Sequence, residues 1–378
     1  MAGFVTTWCD DRKHLVNVSK YGNNEPESIE INSGNEQLAQ ASIKQVAEIA
    51  GVSIATVSRC INNPAQVRDQ TRVRVQAAIL ETGYSPNTIA QSFRRGRTNV
   101  IMVVMPSIGD PFFTDVMRGI RSVVSEHGYS IIINETNFNT MTAEEVGAIM
   151  VSRQADGFIL LASIFPFGNE VLARAGKRSQ PVVIGCETIS ASLADIPSVH
   201  IDNVAAAREA TDFLISNGHR KIAFISGQST SLLTKDREFG YRAAMHKAQL
   251  SIEEGWVLEG NLSIEGAGNA CSKLLQHSER PTAIFCANDE MAIGCMHEIK
   301  RQGLSVPEDV SVMGFDDIRY AEVMNPALTT IAQPARQIGE RAAIRLFKAI
   351  ETGNQPNNQP VILPHKLVVR ESVTMLVN

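Results

Sequence analysis

The sequence predicts an all-α head with a hinge helix, followed by an α/β core of two doubly wound lobes. Three observations lead there. Residues 43–63, IKQVAEIAGVSIATVSRCINN, read as two short helices joined by a tight turn. From Asn99 onward, short apolar runs alternate with amphipathic stretches. The chain has 378 residues, too many for one small domain.

The extension comes first. Residues 1–40 are polar, with Gly, Asn, Glu and Ser and little periodicity, which predicts a disordered segment. The head follows. Ser42 is placed to cap its first helix and Ser53 its second. Ala50-Gly51-Val52 supplies the turn, in which Gly51 is free to take positive φ. Val46, Ala47, Ile49, Val52, Val57 and Ile61 form an apolar set at helical spacing. Ile54, Ala55, Thr56, Ser58, Arg59 and Asn62 are left for the outer face of the second helix. That is the pattern of a helix-turn-helix, whose second helix lies in the DNA major groove. An ordinary αα-hairpin is the competing reading, and the small bend residues and polar outer face argue against it. A third helix is expected over 69–82, packing through Val73, Val75, Ala77, Ala78 and Ile79 and stopped by Gly83. The hinge segment 88–97 is too short to hold a helix alone in water, so it needs a partner or DNA.

The core is read from its apolar runs. Strands are expected at Val100–Met105, Ser130–Ile133, Gly157–Leu161, Val182–Ile184, Val199–Ile201, Ile222–Ile225, Ala283–Cys286 and Val310–Phe315. Helical stretches between them include Phe112–His127, Ala205–Asn217, Arg237–Ala248 and Met291–Arg301. Uninterrupted apolar strands of this kind suit parallel sheets covered by helices on both faces. Ligands bind such sheets at the carboxyl ends of the strands, so a site is sought there.

Charge separates the parts. The formal net charge is −5, yet residues 41–97 hold eight Lys/Arg against three acids. The basic charge therefore sits on the head and hinge, as contact with a phosphate backbone requires. The six cysteines are scattered, without a C-x-x-C, and read as buried apolar residues of a reducing compartment. No run of 18 apolar residues and no signal-peptide pattern is present, so a cytoplasmic protein without a membrane segment is expected. There is no G-x-x-x-x-G-K-[ST], no G-x-G-x-x-G after a strand and no G-x-S-x-G, so no enzyme and no cofactor is expected. His200-Ile201-Asp202 could suggest a metal pair, but Asp202-Asn203 reads better as a helix cap, and no metal is expected. A periplasmic solute-binding protein would explain the core but not the attached helix-turn-helix.

The order of motifs carries a resemblance. TRVRVQAAILETGYSPN at 71–87 and DPFFTDVMRGI at 110–120 follow the helix-turn-helix. HIDN at 200–203, GHRKIAFISG at 218–227, FCANDEMAIG at 285–294 and SVMGFDD through LTTIAQP at 311–334 complete the set. With these residues, 41–378 resembles the LacI/GalR family of bacterial transcription regulators. PSIGDPFF, GCE and FCANDEMAIG make it most similar to members that answer to cytidine and control nucleoside uptake and catabolism.

The resemblance implies a head at 41–86, a hinge helix at 87–97 and a periplasmic-binding-protein-like core at 98–378. Lobe one would hold 98–200 and 331–358, lobe two 202–329 and 361–378, with crossovers near Ile201, Thr330 and Asn358. It implies an operator-binding repressor, working as a homodimer or in some members a tetramer, on double-stranded DNA. Ile54, Ala55 and Arg59 would read base edges, and an Arg can fork onto guanine. Ser53, Thr56, Ser58 and Asn62 would hold phosphates, although local capping is the alternative for the serines. Asn87, Ala90, Phe93 and Arg94 would contact DNA from the hinge, with Phe93 as an apolar wedge where the family usually places Leu. The alternative for Phe93 is packing against its hinge partner or the core.

A small-molecule effector, a nucleoside such as cytidine, would bind between the lobes. The resemblance points to Asp110, Phe112 and Phe113, with one Phe, Phe113, as plain core. Arg237, Asp289 and Gln333 would complete the site, with capping of helix Met291–Arg301 as the alternative for Asp289. Glu187 is added because Gly185 fills the slot where relatives carry a ligand. Leu262 stands where purine-binding members place an aromatic, which weakens a purine effector; a pentose or hexose stays open.

Overall fold

The computed structural model describes residues 41–84, 97–136, 154–161, 180–186, 196–229, 231–353 and 358–376. The chain divides into one unit at Met1–Pro86 and another at Asn87–Asn378.

In the first unit, α1 spans Ile43–Ala50, α2 Ile54–Asn62 and α3 Asp69–Thr82. Ser42 and Gln45 form a reciprocal capping box at the start of α1, with bonds of 3.3 and 2.7 Å. Gly51 ends α1 at φ 61°, in the left-handed region that favours glycine. Arg74 of α3 reaches back to donate to the Ala50 carbonyl from Nε at 3.1 Å and to the Gly51 carbonyl at 3.0 Å. It thereby satisfies the carbonyls that the helix end leaves open. Val46, Ala47, Ala50, Val57, Cys60, Val75 and Ala78 make a small core. Three residues expected in that core lie outside it: Ile49, Val73 and Ala77 are exposed. The reason is angular. Val73 lies two residues from buried Val75, about 200° around the helix.

The second unit holds two parallel sheets. The first contains β1 Val100–Met105, β2 Ser130–Glu135, β3 Gly157–Leu160, β4 Val182–Gly185, β5 Ser198–Ile201 and β11 Val361–Leu363. Its order is β11-β5-β4-β3-β1-β2, all pairs parallel. Helices α4 (Pro111–Glu126) and α9 (Ala335–Thr352) pack against each other in this lobe. They meet backbone to backbone. A Cβ on Gly119 would stand 2.0 Å from the Arg336 carbonyl oxygen, and one on Gly339 would stand 2.0 Å from that of Val116.

The other sheet has the order β7-β6-β8-β9, with β6 at Ile222–Ser226, β7 at Val257–Glu259, β8 at Ala283–Cys286 and β9 at Ser311–Met313. Helices α5 (Asn203–Ser216) and α6 (Leu232–Lys247) pair in this lobe, as do α7 (Ile264–Leu275) and α8 (Asp289–Arg301). A short antiparallel pair joins β10 (Thr330–Ala332) to β12 (Lys366–Val368).

The chain passes between the lobes three times. Asp202 follows β5 and caps α5, accepting from the Ala205 amide at 2.9 Å. The second passage runs from β10 into α9. The third lies between β11 and β12, at 364–365, rather than near Asn358, because Val361–Leu363 pairs with β5 of the first lobe.

Candidate functional site

The face of α2 comes first. Ile54, Ala55 and Arg59 are exposed together, while Val57 and Cys60 face the core. Ser53 caps α2, accepting from the Thr56 amide at 3.2 Å, and the two hydroxyls lie 2.9 Å apart. Asn62 donates to the Ser58 carbonyl at 2.8 Å and to its hydroxyl at 3.3 Å. The polar residues thus brace each other along the same flank that presents Arg59. Asn87, Ala90, Phe93, Arg94 and, in the core, Glu187 lie outside the described residues.

The core site is built around Arg237. Its guanidinium is buried, 3.7 Å from the Phe315 ring centroid. Nε donates to Asn203 Oδ1 at 2.9 Å, and Nη1 donates to the Ala287 carbonyl. Asp316 Oδ1 lies 3.6 Å from Nη1 and also accepts from Gln333 Nε2 at 2.7 Å. Burial pushes the Asp316 carboxyl well above the usual range, while Arg237 draws it back. Asp110 caps α4, accepting from the Phe112 amide at 2.9 Å. Its carboxyl is raised by burial and lowered by that amide and by Arg237.

Two polar atoms of this cluster are buried without a hydrogen-bond partner: Gln333 Oε1 and Asn203 Nδ2. One is an acceptor and the other a donor, and buried groups of this kind are ordinarily paired. Gln333 also lines an open cavity of about 340 Å³ with Phe112, Asp115, Asp316, Ile318 and Arg336. That volume lies in the range of small-molecule pockets. Phe112 and Phe113 meet edge to face at 5.2 Å, and both belong to the core of the first lobe.

Asp289 sits differently from a plain cap. Asn288 caps α8, accepting from the Met291 amide at 2.9 Å. Asp289 is fully buried, and its two oxygens accept from the Thr330 hydroxyl at 2.6 Å and the Ile318 amide at 2.8 Å. Gly314 is required beside it, since a Cβ there would stand 2.1 Å from Oδ1. Burial raises the Asp289 carboxyl to about 7 against those hydrogen bonds. Glu290 next to it is also raised to about 7, by burial first and by Asp110 second.

The structure therefore brings Asp110, Arg237, Asp289 and Gln333 into one network, with Phe112 at its cavity. Asp316, Asn203 and Thr330 belong to the same network and were not singled out from the sequence. The signal for Asp316 was present: two consecutive carboxylates directly follow an apolar strand. Asp316 and Asp317 both take positive φ, at 117° and 57°.

Both parts of the chain match known proteins. Residues 42–87 match the family described as bacterial regulatory proteins, lacI family, and residues 211–373 match a periplasmic binding protein-like domain. The HTH-type transcriptional repressor CytR of Escherichia coli (strain K12) is 34% identical over 340 residues, covering 90% of this chain and 98% of that protein. A Lac repressor dimer bound to operator and the anti-inducer ONPF is similar with a TM-score of 0.77 at 26% identity, covering 88% of this chain and 99% of that one. A transcriptional regulator CelR–cellobiose complex is similar with a TM-score of 0.65 at 30% identity, covering 88% and 99%.

Proposed function

The chain belongs to the LacI family of DNA-binding transcriptional regulators, and from that premise we propose that it is a repressor released from its operator by a nucleoside such as cytidine. In this reading a homodimer sets two α2 helices in major grooves of a pseudo-palindromic operator in the cytoplasm. Two hinge segments, carrying Asn87, Ala90, Phe93 and Arg94, enter the minor groove between them. Arg59 reads a guanine edge, and Ile54 and Ala55 offer apolar contact to thymine methyl groups. Ser53, Thr56, Ser58 and Asn62 fix register on phosphates.

The observation that carries the effector is the unpaired donor and acceptor flanking Arg237. Asn203 Nδ2 and Gln333 Oε1 lie buried where a polar ligand with both kinds of group would satisfy them. Arg237 acts on Asp110 and Asp316, while Asp289 acts on Asp316 and Asp110 on Glu290, so carboxyls outnumber the one arginine of the cluster, which disfavours a phosphorylated effector and favours an uncharged one. Phe112 offers an apolar wall to a planar base. Phe113 backs Phe112 from the core, Glu187 completes the set of effector contacts in this reading, and Asp289 ties the site to the second passage between the lobes.

A sugar is the second reading, favoured by the cellobiose bound in the CelR relative. Thermal-shift measurements with nucleosides, bases, pentoses and disaccharides test the choice. A shift with cytidine or another nucleoside is expected, and a shift with a sugar alone would replace it. Coupling is reciprocal, so operator must weaken effector affinity by the factor by which effector weakens operator affinity. Equal effector affinity with and without operator would sink the regulatory reading.

A further inference from the structure

We propose that the acidic N-terminal extension, residues 1–40, folds back and seats its apolar residues on the outer face of α3. The surface is specific to that helix. Val73, Ala77 and Leu80 are spaced i, i+4, i+7 and form one stripe. Val73 is 63% exposed and Leu80 84% exposed. The opposite face of α3 already packs the head through Val75 and Ala78, so the stripe is a second apolar face with no partner among the described residues.

The extension fits it in reach, composition and charge. It ends at Gln40, two residues before Ser42, the cap of α1, and α1 packs directly on α3. A random-coil segment of 40 residues would span about 35 Å, whereas the stripe is about 10 Å long. Such a tether holds its apolar residues at roughly millimolar effective concentration over the head. Phe4, Val5 and Trp8 cluster near the start, and Leu15, Val16 and Val18 follow. Between them lie Asp10 and Asp11, and the extension has six acids against three bases. Arg72 pairs with Asp69 at the start of α3 at 2.7 Å, and the described head still holds Lys44, Arg59, Arg68, Arg72 and Arg74 against Glu48, Asp69 and Glu81, so the charges of the two parts are opposite. The family match begins at residue 42, so the extension is outside it. Seated there, the acids lower the positive charge that the head offers to phosphate. This inference is independent of the effector reading.

Tryptophan fluorescence of the full chain tests it. The chain has two tryptophans, and Trp256 is buried in the second lobe, donating to the Glu279 carbonyl. The difference between the native chain and Trp8→Phe therefore isolates Trp8. The expected Trp8 emission is blue-shifted and several-fold less quenched by acrylamide than a free indole. The double variant Val73→Thr, Leu80→Gln keeps the charge and should return Trp8 to exposed emission, with an unchanged melting curve for the core. It should also bind a random duplex a few-fold more tightly at low salt. Exposed emission in the native chain, or no change of emission or duplex affinity in the variant, overturns the proposal. A shift that vanishes on dilution places a second copy on the stripe and overturns it as well.

Discussion

The Thr330 hydroxyl donates to Asp289 Oδ1 at 2.6 Å and so joins the first residue of α8 to the first residue of β10. That bond ties the strand-end cluster of the second lobe to the passage into the first. Removing it in Thr330→Val leaves a buried carboxylate one donor short. The expected loss is about 1–3 kcal/mol of stability. Thermal unfolding of the variant measures it, and an unchanged midpoint would show that the bond carries no net stability.

The same carboxylate makes stability depend on pH. Asp289 and Glu290 are raised to about 7 in the folded chain. An unfolded carboxyl titrates near 4. The folded chain therefore holds more protons between these values, and stability falls as pH rises from about 4 to about 7. The midpoint of unfolding should be higher at pH 5.5 than at pH 8. Asp289→Asn should flatten that slope, and it can keep both contacts, its amide oxygen accepting from the Ile318 amide and its NH2 donating to the Thr330 hydroxyl oxygen. A slope unchanged by the substitution would assign the effect to other groups.

Arg237 has a different weakness. Arg237→Ala removes the cation beside buried Asp316 and the layer over the Phe315 ring. Breaking a buried pair from one side costs about 3–5 kcal/mol. Lysine does not restore it, because one ammonium cannot meet Asn203, the Ala287 carbonyl and the ring in the geometry of the planar fork. The check is thermal melting with and without nucleoside; full stability and effector response in Arg237→Lys would contradict this.

For the head, Arg59→Ala should relax operator discrimination by about 1–3 kcal/mol. Arg94→Ala should weaken all duplexes alike and flatten the dependence of affinity on salt. Binding titrations on operator and random duplex across salt concentrations separate the two. The reverse pattern would exchange their roles.

Some of this was legible in the sequence because it is local. Ser42, Gly51, Ser53 and Gly83 act within one turn of where they stand, and their helices begin or end as read. The parallel strands were legible from their unbroken apolar runs. The faces of α3 were misread because Val73 and Ala77 are apolar without being buried, and composition alone does not reveal which face is covered. The Arg237 network was only half legible. Arg237 and Asp316 are far apart in sequence, and so are Asp289 and Thr330. Their meeting is fixed by the sheet order, which no window of sequence contains. The third passage was misplaced because β11 is three residues long and follows a polar segment.

Gly119 and Gly339 have a mechanical consequence. Sliding of one packed helix over another needs side chains that can change partners, whereas here main chain rests on main chain. Shear between α4 and α9 is therefore closed to the first lobe. On the proposed function, a ligand beside Phe112 and Gln333 would turn that lobe as one block, with the rotation taken up in the few residues of the three passages. In that reading the lobe would act as a lever with its fulcrum at those connections, its throw set by how far they twist.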